Sequence, residues 1–295
     1  MHQEKIGLDD WFELVGQSYL APPVSYKGER LPAFPSDTIQ NNTTGQCGVA
    51  TLREAFIFYK DCANTFEELG KPVTEQAQLL DFGVGWGRIA RFFLRDMPLK
   101  NIHGMDVTPE FTAICSETFQ SKNFYTCQPY PPTNLPDNHY DFIVGYSVFS
   151  HLSEEACKAW MKEFNRILVP GGIVALTTRG RPFFDFCESQ KGKQYGLQSW
   201  LNNLLGNKRP LGYLDALGGL FKDFDAARAK YDRGEFVHSN NPGVGGGGAM
   251  NATFYGETFV PEAYARRAYA PLELVKFMYE PRYQSHPIMF FRKNK

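Results

Sequence analysis

At 295 residues the chain is long enough for a full α/β core with embellishments, since single domains commonly run to roughly 100–200 residues. A formal net charge of −1, with no long lysine or arginine run, supplies no field to attract a phosphate backbone, which argues against nucleic acid as a partner. No apolar run approaches the length of a membrane span, and the polar Met1-His-Gln-Glu-Lys5 start does not read as a secretory leader, so a cytoplasmic protein is expected. The six cysteines are scattered, with no C-x-x-C pair and no histidine cluster at zinc spacing, so reduced, mostly buried thiols and no metal are expected. The aromatic fraction, 15%, exceeds what a core needs and is compatible with a pocket for a ring-shaped or sugar-like molecule.

Residues 1 to about 46 carry Ala21-Pro-Pro-Val and Leu31-Pro-Ala-Phe-Pro, which disfavour regular structure and predict an extension wrapped on the core. The stretch 41–48, Asn-Asn-Thr-Thr-Gly-Gln-Cys-Gly, reads either as a lid over a ligand or as a plain surface loop. Thr51-x-x-Glu54 has capping-box spacing, and Leu52, Ala55, Phe56 and Tyr59 then share one helical face.

Next comes the stretch around which the chain is organised. Leu79, Leu80 and Phe82 form a short apolar strand, Gly83, Gly85 and Gly87 make a tight turn, and Ile89, Phe92 and Phe93 recur at helical spacing. Glycines here allow positive φ and close approach of a ligand to the backbone. A dinucleotide fingerprint wants G-x-G-x-x-G, but Arg88 holds the place of its last glycine, which disfavours a nicotinamide enzyme.

Residues 101–107 read as a second strand ending at Asp106, with Thr108 and Pro109 opening a helix. Asp106 falls about 20 residues past the glycine turn, where a carboxylate can accept from two ribose hydroxyls; the alternative is an acid that complements a helix dipole. Strands follow at 124–127, 140–148 and 173–178, with a helix capped by Ser153 and ended by Pro170-Gly-Gly172. After an irregular stretch with a polar helix near 223–232 and the glycine run 245–248, Pro261 starts a short helix, and 272–279 and 287–292 close as paired strands. Alternating strands and helices imply a mostly parallel sheet.

Asp81-Phe-Gly-Val-Gly-Trp-Gly87 resembles motif I of the class I S-adenosylmethionine (SAM) dependent methyltransferases. Asn134-Leu-Pro-Asp-Asn-His-Tyr-Asp-Phe-Ile-Val144, Ser147-Val-Phe-Ser-His-Leu-Ser-Glu-Glu155 and Phe164-Asn-Arg-Ile-Leu-Val-Pro-Gly-Gly172 resemble the later motifs in the same order. Motif I departs from the commoner Gly-Cys-Gly at Val84, and Arg179 stands where histidine is common. The resemblance implies a Rossmann-like α/β fold whose seven-stranded sheet has the order 3-2-1-4-5-7-6, strand 7 antiparallel, with helices on both faces. It implies a core at 73–180 and 252–295, preceded by an extension and helix at 1–72 and interrupted by an insertion at 181–251 covering the substrate side. The glycine run in that insertion reads equally as a linker or as a loop entering the site.

The same resemblance implies SAM as cofactor. Asp81 would open the turn, with Gly83, Val84, Gly85, Trp86 and Gly87 around the methionine portion. Asp106 would hold the ribose, Val107 the adenine face and Asn134 the adenine edge, and Ser147 would face the sulfonium. His151, just past the fourth strand, is the expected general base, since an imidazole titrates near neutrality; His238 and His286 are read as surface competitors. The expected reaction is O-methylation of a sugar-containing or otherwise hydroxylated small molecule or glycan. A protein, nitrogen or carbon acceptor, or a SAM-binding subunit without activity, stays open.

Overall fold

The computed structural model describes residues 5–192, 211–240, 248–280 and 286–295. The N-terminal stretch differs from expectation: it folds into helix α1 (Leu8–Leu20), a small hairpin of β1 (Ser25–Tyr26) and β2 (Glu29–Arg30), and helix α2 (Asp37–Thr44). Prolines interrupt the chain only after α1, whose buried face carries Trp11 and Val15. Trp11 is fully buried, and its indole N–H donates to the Phe92 carbonyl at 3.0 Å, tying α1 to the segment after the glycine turn.

Helix α3 (Gly48–Glu68) starts three residues before the expected Thr51 cap. The Gln40 side chain accepts the Gly48 N–H at 3.0 Å, so capping comes from α2, and Thr51 instead donates to the Thr44 hydroxyl. Leu52, Ala55, Phe56 and Tyr59 form the buried face, as their spacing predicts.

The core continues through β3 (Leu79–Phe82), β4 (Ile102–Asp106), α4 (Pro109–Phe119), β5 (Phe124–Thr126), β6 (Tyr140–Gly145), α5 (Glu154–Ile167) and β7 (Leu168–Thr177). Helices α6 (Pro182–Ser189), α7 (Leu211–Gly218) and α8 (Phe224–Asp232) follow, then strands β8 (Val237–Ser239) and β9 (Glu257–Phe259), helix α9 (Glu262–Ala268), and strands β10 (Glu273–Met278) and β11 (Ile288–Arg292). One seven-stranded sheet has the order β5-β4-β3-β6-β7-β11-β10. Pairings are parallel from β5 to β7, and β11 runs antiparallel to both neighbours. Renumbered along the chain within the sheet, this is the expected 3-2-1-4-5-7-6.

Several boundaries moved for local reasons. The segment after the glycine turn is a 3-10 helix, Ala90–Arg95, whose first N–H, on Ala90, is taken by the Asp81 carboxylate and in which Phe92 donates to the Ile89 carbonyl three residues back. Strand β6 stops at Gly145 because Ser147 takes φ +59°, a left-handed conformation that ends an extended run. Strand β7 begins at Leu168 and carries Pro170-Gly-Gly172 within it, accommodated by a register shift against β6. Ser153 caps α5 by accepting from the Ala156 N–H, as expected. Trp160, Phe164 and Ile167 of α5 are buried with Phe82, Val174 and Leu176 of the sheet, each side chain contributing about 1.5–3 kcal/mol by leaving water.

The segment expected as an insertion has its own apolar cluster. Phe184 and Cys187 of α6, Leu217 of α7, Phe224 of α8 and Val237 of β8 close around Phe259, and β8 pairs with β9. Pro242 and Gly245–Gly247 of the glycine-rich run lie outside the described residues. No helix among the described residues is long and apolar enough to cross a membrane.

Candidate active site

Parallel strands β3, β4 and β6 end side by side, and the turn after β3 crosses that edge. Gly83, Gly85 and Gly87 all take positive φ, +74°, +51° and +81°. The N–H groups of Gly83 and Val84 both donate to the Met105 carbonyl, at 2.9 and 3.0 Å, stitching the turn to the end of β4. Gly85 donates its N–H to Asp106 Oδ2 at 3.0 Å, and Thr108 donates to Oδ1 at 2.9 Å. Burial raises the pKa of Asp106, opposed by these N–H bonds. The Thr108 hydroxyl and the Val107 N–H also bond to this carboxylate.

The three glycines serve different purposes. A Cβ at Gly83 would lie 2.3 Å from Val148 Cγ2, one at Gly87 would lie 2.4 Å from Phe119 Cε2, and one at Gly85 would meet nothing within 4 Å. Gly85 thus faces open space, whereas Gly87 lies outside the cavity and lets α4 pack against the turn. Asp81 is also outside the cavity and fully buried beneath it. Its Oδ2 accepts the Ala90 N–H at 3.0 Å while Oδ1 has no partner among the described residues, and burial pushes the carboxyl up to about 7.

A cavity of about 400 Å³ opens over the strand ends. Gly83, Val84, Gly85, Trp86, Asp106, Val107, Ser147 and His151 line it together. The indole N–H of Trp86 is buried and has no partner among the described residues, and its ring packs against Phe34 and Arg91. Asn134 does not join them: it is exposed on the loop between β5 and β6. Thr133 beside it is pinned outward, its N–H and hydroxyl donating to Glu163 of α5 at 2.8 and 2.6 Å. Cys127 and Pro129 of the same connection, with Phe111 of α4, form the wall where Asn134 was expected.

Other walls come from residues that sequence reasoning did not single out individually. Asn42, Thr43 and Thr44, the last turn of α2, line the cavity from within the stretch read as lid or loop. Arg88 contributes a cation, its guanidinium bonded to the Thr51 carbonyl and to Glu54. Met250, Phe254 and Tyr255 cover the far side. The chain around 254–258 is laced to the connection after β6: Ser153 donates to the Phe254 carbonyl at 2.7 Å, Gly256 to the His151 carbonyl at 2.8 Å and Thr258 to the Ser150 carbonyl at 2.8 Å. The aromatics Phe254 and Tyr255 after the glycine run were a visible signal for this wall, and the stretch 41–48 had been readable as a cover over a ligand though not residue by residue.

His151 is 8% exposed and stacks flat on Tyr255, ring centroids 4.8 Å apart. Its Nδ1 lies 2.7 Å from the Gly256 carbonyl, which can only accept, so Nδ1 carries the proton in the neutral ring. Nε2 is left as the acceptor, 3.5 Å from the Ser147 hydroxyl. Burial lowers the imidazole pKa, countered by Glu257 nearby, and so favours the neutral ring. Ser147 holds its strained backbone by donating its N–H to Thr177 Oγ1 at 2.6 Å. The competing histidines are not surface groups. His286 is buried against Arg179, and His238 is partly buried with Nδ1 2.7 Å from Thr258 Oγ1; neither lines the cavity.

The sheet order, with the glycine turn at the carboxyl edge of β3 and a carboxylate closing β4, is that of the Rossmann-like methyltransferase fold. Residues 79–172, about a third of the chain, match the family model described as a methyltransferase domain. No curated protein matches the chain. Among solved structures, a SAM-dependent methyltransferase from Clostridium acetobutylicum shares the fold at a TM-score of 0.50 and 10% identity, over 81% of this chain and 92% of that one. A SAM-dependent methyltransferase from Methanosarcina mazei aligns at a TM-score of 0.44 and 15% identity, over 75% of this chain and 94% of that one. Both of those enzymes depend on SAM, which carries an electrophilic methyl group on a sulfonium. The site is chemically compatible with such a molecule, since an open glycine backbone at Gly85 and the carboxylate of Asp106 line the same cavity.

Proposed function

We propose that this enzyme methylates a hydroxyl oxygen of a sugar-containing or otherwise hydroxylated small molecule or glycan, with His151 as the base that removes the hydroxyl proton. In this reading Gly83, Val84, Gly85 and Trp86 cradle the methionine portion of SAM, Asp106 accepts from the ribose hydroxyls, Val107 lies against the adenine and Ser147 lies near the sulfonium. Asp81 and Gly87 support the turn from behind.

The observation that carries the proposal is the state of His151. With Nδ1 committed to the Gly256 carbonyl, the neutral ring offers Nε2 as a proton acceptor in the cavity wall. A hydroxyl is a poor nucleophile until its proton leaves, and a positioned base contributes about 10²–10⁴-fold. Holding acceptor oxygen and methyl carbon in line supplies more. The walls favour a hydroxyl over an ammonium acceptor: Asp106 is the only carboxylate among the described lining residues, and ribose engages it in this reading. Asn42, Thr43 and Thr44 offer polar groups and Phe254 and Tyr255 flat apolar faces, a mixture suited to a sugar ring or a hydroxylated aromatic.

A transfer screen with methyl-labelled SAM across glycans, hydroxylated metabolites, amines and proteins tests this. Label on an oxygen of a hydroxylated compound is expected. Exclusive labelling of amines or of protein would overturn it.

A further inference from the structure

Behind His151, away from the cavity, lies a buried ionic cluster that the proposed chemistry does not yet use. Glu257 of β9 is fully buried, and one of its oxygens, Oε1, lies 3.4 Å from His151 Nδ1. The carboxylate is held from two other directions. Arg179, just past β7, donates from Nε to Oε2 at 2.7 Å, and Tyr213 of α7 donates its hydroxyl to Oε1 at 2.8 Å. Arg179 is itself fixed by His286 and lies over the Phe183 ring, 4.1 Å from its centroid.

We propose that Glu257 is a positioning residue for His151, a fixed anion beside the protonated ring nitrogen that raises the base's affinity for the proton it takes from the acceptor. This role rests on the reading of His151 as the base. The geometry carries it: a carboxylate removed from solvent and set by two donors stands on the Nδ1 side, so it stabilises the imidazolium that forms when Nε2 accepts a proton. The adjoining backbone is built to the same end. Gly256 presents its carbonyl to Nδ1 from a position where a Cβ would come 2.1 Å from the Ser239 carbonyl oxygen, so only glycine fits between β8 and His151.

Charged and titratable groups face His151 from every side. Glu257 raises its proton affinity; Arg179 lowers it, as does desolvation by the surrounding chain. His238 on β8 and His286 before β11 are near enough to feel His151 and are themselves held neutral by burial. Tyr255 covers one face of the ring, and burial keeps its phenol protonated. Burial pushes Glu257 up, but Arg179, His151 and the donated hydrogen bonds outweigh it and keep the carboxyl ionised. Through Tyr213 the cluster also connects the base to α7, so seating of the segment after β7 is linked to the proton acceptor.

The test combines activity with a direct titration. The ring C2–H resonance of His151, assigned by its loss in His151→Ala, is followed against pH in the full-length wild type and in Glu257→Gln. Because that substitution leaves Arg179 buried without its anion, the double variant Arg179→Met/Glu257→Gln is measured beside it, removing both charges together. In whichever variants keep the wild-type melting temperature and SAM affinity, the His151 titration is expected to move to lower pH. The acidic limb of kcat should move with it, kcat should fall about tenfold or more, and the acceptor KM should change less than threefold. An unmoved His151 titration in a folded variant, with His151→Ala inactive, overturns the positioning role and leaves the base intact. Failure of both variants to fold would make Glu257 a purely structural anion and overturns it as well. A His151→Ala enzyme with normal turnover overturns the base and this role together.

Discussion

Gly85 and Asp106 are bonded to each other: the backbone N–H of the central glycine of the turn reaches the carboxylate that ends β4, at 3.0 Å. The two residues that the sequence marks separately as a turn and as a ribose acceptor are one structural unit, because the carboxylate also takes the Thr108 N–H and so closes the turn against the start of α4. Asp106→Ala is therefore expected to weaken SAM binding and to loosen the turn together. The lost ribose contacts are worth about 1.5–3 kcal/mol for each charge-assisted hydrogen bond. Asp106→Asn, which retains one acceptor oxygen, should fall between wild type and alanine. Titration calorimetry with SAM, paired with thermal melts, checks both effects, and unchanged affinity in Asp106→Ala would remove this residue from the cofactor site.

The buried Asp81 predicts a pH dependence of stability. Its carboxyl titrates at about 7 in the folded protein against an ordinary value of 3.8, because burial disfavours its anion. Between those two values the unfolded chain has already released the proton that the folded protein retains, so the folded state loses stability as pH rises through this window. A shift of this size corresponds to about 4 kcal/mol at most, from about 1.4 kcal/mol per unit. Asp81→Asn keeps an acceptor for the Ala90 N–H without the ionisation. Its unfolding free energy, from denaturant titrations at pH 5 and pH 8, should decline less with pH than that of the wild type.

Trp11 tests whether the N-terminal segment belongs to the core. It is fully buried, packs on Tyr26 and bonds to the Phe92 carbonyl. Trp11→Ala should cost about 3–5 kcal/mol, the range for deleting a buried large aromatic side chain. A melting temperature within a degree or two of wild type would mean that α1 is a detachable arm.

Much of this was legible in the chain because the signals are local. The run Leu79 to Phe82, three glycines and an aspartate one strand later are close in sequence, and each has a backbone reason to be where it is. Ser153 as a helix cap was equally readable, since a cap needs only its own helix. Helix α1 was missed although Leu8, Trp11, Phe12 and Val15 have helical spacing, because the prolines that follow dominated the reading. Asn134 was placed by motif position, but Glu163 and Arg166 on α5 decide where that loop goes, some thirty residues downstream in sequence. The contact between His151 and Gly256 joins residues 105 apart, a pairing that no local pattern encodes.

The central claim is that His151 removes the acceptor proton, and a paired measurement on His151→Ala addresses it most directly: SAM affinity by calorimetry and methyl transfer to the acceptor found in the screen, at saturating SAM. The account predicts SAM affinity within about threefold of wild type and kcat lower by about 10²–10⁴-fold, the range for losing a general base. Turnover near wild type with intact SAM binding would contradict it.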